Sequence, residues 1–300
     1  MTFVCIYLTL LSVWFYIYVY RNSIIEKRKY ILGTYAFLLL IYSFITYYLS
    51  KGWYTSNSVG FHWFDDSGEW LWMDKLGHFY TAAIWSRFAI IIFSFAGVDI
   101  KTSREKVVWI GFFLLSSVEW FDGISPAYGA SFYDILANFL GCAFIYIQFK
   151  YLSKLNFWPK WSYWPNMLAS FRPNILGSNM PEQILKNYNG QIYWLSFPVS
   201  SFWKSKYIPS WLCVSVGYGA EGMVGGDDNI WSDSNGNTHN LSSIQRYQQV
   251  YISLDMLIAN KEHYKWWKKV LIRILSAVKF PFPAIEINIY NGITFHWIAI

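Results

Sequence analysis

Apolar and polar positions follow three different rhythms along the chain. Up to about residue 150 the apolar residues come in long runs: Met1 to Tyr20, Tyr30 to Leu49, Phe79 to Val98, Val107 to Phe121 and Phe132 to Phe149. A hydrocarbon layer of about 30 Å takes about 20 such residues per crossing, so the pattern predicts about five transmembrane helices, the fourth being the shortest. Met1 to Tyr20 lacks a basic start and a small-residue cleavage site, and reads as a retained helix rather than a removable signal. From 155 to 184 the rhythm breaks. Aromatic residues alternate with Pro159, Pro165 and Pro173, which exclude one regular helix.

Beyond the prolines the period shortens to two. Ile192 to Phe197, Leu212 to Tyr218 and Val250 to Leu257 read as strands, and "IEINIY", Asn291-Gly292, "ITFHWI" reads as a hairpin. A two-residue turn would set Tyr290 opposite Ile293 and His296 beside Ile287, and a longer loop would flip those faces. Between these strands, Lys261 to Lys279 places Tyr264, Trp267, Leu271, Ile274 and Val278 on one stripe, with Lys261, Lys265, Lys268 and Lys269 largely elsewhere. Such a basic amphipathic helix can lie in the headgroup plane of an anionic leaflet or pack its stripe on a sheet.

These elements predict a mainly α membrane protein: a bundle of about five transmembrane helices over 1–154, a Pro/aromatic connector over 155–184, and a smaller α+β region with antiparallel strands over 185–300. About five strands fall short of the eight of the smallest membrane barrels, so a closed barrel is not expected. Lys and Arg sort the helical loops alternately. Arg21, Lys27, Arg28 and Lys29 mark one side, as do Lys101, Arg104 and Lys106, while the loops between are poor in both. The positive-inside rule then puts the N-terminus outside an inner membrane, with an outer-membrane or periplasm-facing placement as the alternative.

Composition agrees with a membrane protein. Apolar residues make up 55% and charged residues 14%, against about 25% charged in soluble domains. The net charge of +6 is scattered and gives no basic patch for nucleic acid. Cys5, Cys142 and Cys213 form neither a zinc spacing nor a disulfide framework.

Against this background the stretch "MDKLGHF" stands out, because Asp74, Lys75 and His78 open an apolar helix. Asp66-Ser67-Gly68-Glu69 offers a cap, which would start that helix near Ser67. Asp74 and His78, four apart, share a face. "EWFDG" sets Glu119 three before Asp122, and "SFYDILANFLG" aligns Ser131, Asp134, Asn138 and Gly141 on one stripe. By the topology above, these groups all reach the outer rim of the bundle. Arg87 lies deeper and needs a partner.

The leading reading of the cluster is a non-enzymatic site that binds a lipid headgroup or an envelope partner; a His with carboxylates could also hold a metal. Two alternatives stand beside it. In one, His78 is a general base oriented by Glu119 or Asp134, acting on a lipid-linked substrate, with Asp74, Lys75, Asp122 and Asn138 binding the ligand. In the other, the same groups cap helices and pair across them. The expected partners are membrane lipids and an envelope protein; no cofactor and no metal are assigned.

The blocks "FHWFDDSGEWLWMDKLGHFYTA", "EWFDGISPAYGASFYDILANFLG", "LKNYNGQIYWLS" and "VGYGAEGM" resemble YfiM-like predicted periplasmic lipoproteins, an uncharacterised envelope family. Asp74-Lys75 with His78, Glu119, Asp134, Asn138 and Gly141 more remotely resemble VanZ-like membrane proteins. Neither resemblance implies a mechanism. The chain lacks the lipidated Cys after a signal that the lipoprotein members carry.

Two features are set aside. Gly217-x-Gly219-x-x-Gly222 follows a strand, but "MVGGDDNIWSDSNGN" cannot begin the helix a dinucleotide site needs, so no nucleotide is expected. Asp227, Asp228, Asn229 and Asp233 miss the EF-hand spacing and read as a mobile solvated loop.

Overall fold

The structure, a computed structural model, describes residues 28–52, 58–95, 98–99, 105, 107–152, 157–203, 205–233, 235–258 and 264–299. The first apolar run and the basic loop carrying Lys101, Arg104 and Lys106 lie outside them. The chain divides into two compact units, Met1–Asp66 with Thr81–Tyr151, and Ser67–Tyr80 with Leu152–Ile300.

The first unit is helical. Its elements are α1 (Arg28–Gly52), the greater part of α2 (Met73–Phe95), α3 (Ile110–Gly123) and α4 (Phe132–Lys150). Phe93, Ala89 and Val107 pack with Leu38 in one core, and Ala83, Ile90, Val108 and Ile145 in another. Close approach at Gly111 joins three helices. A Cβ there would stand 2.8 Å from the Ala82 carbonyl, 2.9 Å from Ser86 Oγ and 3.4 Å from Cys142 Sγ. Arg87 finds its partner inside this unit, donating to Gln148 Oε1 at 2.6 Å.

The second unit is built on a six-stranded antiparallel sheet in the order β1 (Trp158–Tyr163), β2 (Gln191–Pro198), β3 (Leu212–Glu221), β6 (Tyr247–Met256), β7 (Phe282–Asn288) and β8 (Gly292–Ala299). Two short strands, β4 (Ile230–Ser232) and β5 (Thr238–Asn240), form a separate hairpin. The Pro/aromatic stretch supplies β1, where Pro159 sits opposite Leu195, and two short helices follow it, α5 (Pro173–Leu176) and α6 (Met180–Lys186). On its far side β1 meets the segment that leads into β7. Trp161 N–H donates to the Ala277 carbonyl at 3.0 Å, and Lys279 N–H donates to the Trp161 carbonyl at 3.0 Å. The sheet therefore curls until its first strand touches the approach to its fifth.

The enclosed face carries a polar network beside a small core of Trp194, Tyr251, Ala284 and Ala299. Lys160 Nζ lies 2.8 Å from Asp255 Oδ2, both side chains having no exposure. Ser196 and Ser215 donate to the same oxygen, while the backbone N–H groups of Met256 and Phe280 donate to Oδ1. Further along, Gln249 and Asn288 donate to Glu286 Oε1, and His296 Nε2 is 2.7 Å from Glu286 Oε2. Trp194 lies flat over Gly217, where a Cβ would come within 2.6 Å of its ring, so that glycine serves packing rather than phosphate binding.

Lys279 Nζ donates to the carbonyls of Leu254 and Phe280, both at 2.8 Å. Burial lowers its pKa to about 8, with Asp255 opposing and Lys160 adding to the fall. A lysine whose folded value lies below its unfolded value leaves the folded state with fewer bound protons between the two, so stability rises with pH across that window. Urea unfolding of the protein should show a gain from pH 8 upward of at most about 1.4 kcal/mol per pH unit. Lys279→Met should flatten it. Above about pH 10 the unfolded chain's tyrosines ionise, which opposes the gain because burial raises Tyr193 and Tyr251 in the folded state.

This architecture corrects the expected five-span bundle with a smaller α+β appendix. Among the described residues two helices, Glu69–Ser94 and Phe132–Lys150, are long and apolar enough to cross a membrane. The core helix of a soluble protein passes the same test. The expected fourth span forms a helix of 14 residues, about 21 Å long against the 30 Å of hydrocarbon. The chain's high apolar content is shared with the strands of the large sheet, which begin only at Trp158.

The hairpin also differs from its expected register. Asn288 pairs with Gly292, leaving Ile289, Tyr290 and Asn291 as a three-residue loop. Asn288 Oδ1 accepts from the N–H groups of Tyr290 and Asn291 at 2.9 and 2.7 Å, and Gly292 takes φ +66°. The side-chain turn at Asn288 outcompetes a tight Asn-Gly turn. His296 accordingly faces inward beside Glu286, and Ile287 pairs with Ile293 on the other face. The Lys261 to Lys279 helix is shorter than expected and runs Trp266–Leu275 (α7).

Candidate functional site

The expected cap at Asp66 and Ser67 does not start α2. A short turn, Glu69–Trp72, precedes Met73, and Trp70, Leu71 and Trp72 all have positive φ, at 52°, 49° and 70°. The left-handed region costs an L-residue roughly 1–2 kcal/mol, and packing offsets that here. Trp70 and Leu71 pack with Met73, Ala220 and Met223, Trp70 N–H donates to the Gly226 carbonyl at 2.8 Å, and Tyr218 Oη donates to the Leu71 carbonyl at 2.7 Å. Strain of this kind persists where the surroundings over-determine the backbone, and such places cluster near functional groups.

Immediately after the turn come Asp74, Lys75 and His78. Lys75 Nζ donates to Asp74 Oδ2 at 2.8 Å, Tyr188 Oη donates to Asp74 Oδ1 at 2.6 Å, and His78 Nε2 stands 3.8 Å from Oδ1. Burial on its own would raise the Asp74 carboxyl, but the charges of His78 and Lys75 and the hydrogen bonds from Lys75 and Tyr188 outweigh it and hold the group at about 2. Asp74 is thus a fixed carboxylate at any physiological pH. The floor of this site is close-packed: a Cβ at Gly77 would come within 2.9 Å of Tyr193 Oη, and Tyr80 donates to the Ala277 carbonyl at 2.7 Å. One-fifth of each of the His78 and Asp74 side chains stays open to solvent. Tyr188 was not singled out from the sequence as a site residue, although it stands within the "LKNYNG" block that carries the resemblance.

In the first unit the Glu119 and Asp66 carboxylates hold the start of α4. Ser131 caps α4, accepting the Asp134 N–H at 3.1 Å. Its own N–H donates to Glu119 Oε2 at 3.2 Å and its hydroxyl to Asp66. Glu119, Asp134 and Asn138 are all buried. Nearby, residues 62–64 bond to 123–130, with His62 Nε2 2.6 Å from the Tyr128 carbonyl. Asp122, close to the end of α3, helps burial to raise the Tyr128 phenol. The structure therefore brings Asp74, Lys75 and His78 together with Tyr188 in the second unit, and Glu119 and Asp134 together with Ser131 in the first.

The acidic loop is better organised than a mobile segment. Buried Asn229 accepts from Val224 N–H and donates to the carbonyls of Gly222 and Ile244. Asp233 accepts from Asn235, Asn237 and His239, and hydrogen bonds from Asn237 and His239 lower its pKa to about 2.

Over residues 61–150 the chain is similar to an uncharacterised family of cell-envelope proteins. The matching family model is described as "Predicted periplasmic lipoprotein (DUF2279)". No curated protein and no solved structure matches the chain. The matched stretch contains all the candidate residues from Asp74 to Asn138 and none of the six-stranded sheet. Its description fits the periplasm-facing alternative and lends no support to the inner-membrane placement read from the loop charges.

Proposed function

We propose that this is an envelope protein that binds a polar headgroup or a partner through the Asp74, Lys75 and His78 site. The observation that supports it is the coexistence of a fixed charge and access: Asp74 is held by Lys75 and Tyr188, while His78 beside it keeps an open edge. A ring N–H of the imidazole can donate a hydrogen bond to a phosphate or carboxylate oxygen. We propose as well the finer likeness, to YfiM-like proteins over the four sequence blocks and more remotely to VanZ-like proteins over Asp74, Lys75, His78, Glu119, Asp134, Asn138 and Gly141.

A second reading, a membrane enzyme acting on a lipid-linked substrate, keeps His78 as base with Glu119 or Asp134 as orienter. The contacts favour Asp74 as the carboxylate acting on His78, and the bond from Ser131 N–H favours a structural part for Glu119. His78→Gln should leave the melting temperature within about 2 °C and abolish binding of a short-chain phosphatidylglycerol measured by calorimetry. Glu119→Gln should lower stability with binding retained, because it weakens the bond from Ser131 N–H. Loss of stability in both, with binding retained by the His78 variant, would leave only a scaffold.

A further inference from the structure

The sheet of the second unit is inside out for a water-soluble domain. Along β3, β6 and β7 the residues facing inward are buried and include a run of polar side chains, Ser215, Gln249, Ser253, Asp255, Glu286 and Asn288, beside the small core of Trp194, Tyr251 and Ala284. Those facing outward in the middle of the same strands are aliphatic and 37–46% exposed: Val214 and Val216, then Val250, Ile252 and Leu254, then Ile285 and Ile287. The register sets them side by side, Val216 opposite Ile252 and Ile252 opposite Ile285. On β8, Ile293, Phe295 and Trp297 extend this surface, each more than half exposed. Helix α7 repeats the motif, with Trp267, Leu271 and Ile274 nearly half exposed, beside Lys265 and Lys268, which are also exposed.

We propose that this outward face lies in the acyl layer of an anionic lipid membrane, with the α7 lysines at the headgroups. Three features select lipid over a protein partner. Outward apolar and inward polar alternation on adjacent strands is the pattern of strands whose outer solvent is hydrocarbon. The aliphatic belt of β3, β6 and β7 offers no side-chain hydrogen bonds, whereas protein interfaces carry about one per 100–200 Å². The cationic residues flank the apolar stripe of α7, as the charge of an anionic leaflet requires. The polar network inside supplies what the enclosed face needs, so the apolar surface is its outside and not an uncovered core.

The test attaches a nitroxide at Ile252→Cys and at Ile285→Cys, with Asn235→Cys in an exposed turn as reference. Cys5→Ser removes one native thiol, and Cys142 and Cys213 are buried. In phosphatidylethanolamine–phosphatidylglycerol vesicles, labels at 252 and 285 should collide with oxygen several-fold more often than with a nickel chelate, and the label at 235 should show the reverse. Nickel accessibility at 252 and 285 would place the face in water and overturn the proposal. Low accessibility to both reagents would mean that a second copy or another protein covers it, which overturns it equally. Lys265→Gln with Lys268→Gln should lower affinity for phosphatidylglycerol vesicles several-fold and leave phosphatidylcholine vesicles unaffected; an equal loss on both would remove the headgroup part.

Discussion

Lys160→Ala is expected to cost the second unit about 3–5 kcal/mol, the range for breaking a buried ion pair by removing one partner. Lys160 and Asp255 are both fully enclosed at 2.8 Å, and the carboxylate keeps its remaining hydrogen bonds from two serines and two backbone N–H groups after the lysine goes. Those neutral donors do not replace a cation. Lys160→Met with Asp255→Leu should recover more than half of the loss, because two apolar side chains of similar size remove both desolvation costs together. Chemical unfolding followed by the near-ultraviolet signal of the sheet's tryptophans would measure both. A single-variant loss below about 1 kcal/mol would show that the pair does not hold the enclosed face.

In the helical unit Gly111→Val should have the next largest effect, about 3 kcal/mol, at the upper end for overpacking. The added carbon meets backbone at Ala82 on one helix and the hydroxyl of Ser86, which is itself fixed 2.6 Å from the Val108 carbonyl. Neither neighbour is the loose end of a long side chain, so the helices themselves must separate. Gly111→Ala should lose less, because it adds a single carbon. Equal melting temperatures for valine, alanine and wild type would show that the three helices do not meet at this point.

The elements were more legible in the sequence than their environment. Apolar runs located α2 and α4, and period-two stretches located β2, β3, β6 and the β7–β8 hairpin within a few residues. What alternation lacks is a sign. It says that the two faces of a strand differ, and the inward face is assigned by assuming water outside. Gln249, Ser253 and Asp255 on one face of β6 carried the opposite message. Trp70, Leu71 and Trp72 gave no hint of a left-handed turn, because that conformation is legible only where glycine or asparagine stands. Of the candidate site, the spacing placed Asp74 and His78 on one face and Ser131 as a cap, both as found. Tyr188 comes from a distant short turn, and local spacing has no access to it.

Trp161 and Val278 stand at opposite ends of the second unit's sequence, yet they pair. During synthesis β1 leaves the ribosome long before the stretch that seals its outer side, so its unpaired N–H and C=O groups are offered to any passing strand in the interval. Until that late seam forms, the lysine on β1 has no closed interior to occupy. Folding of the second unit is therefore completed only after the last part of the sheet has been made.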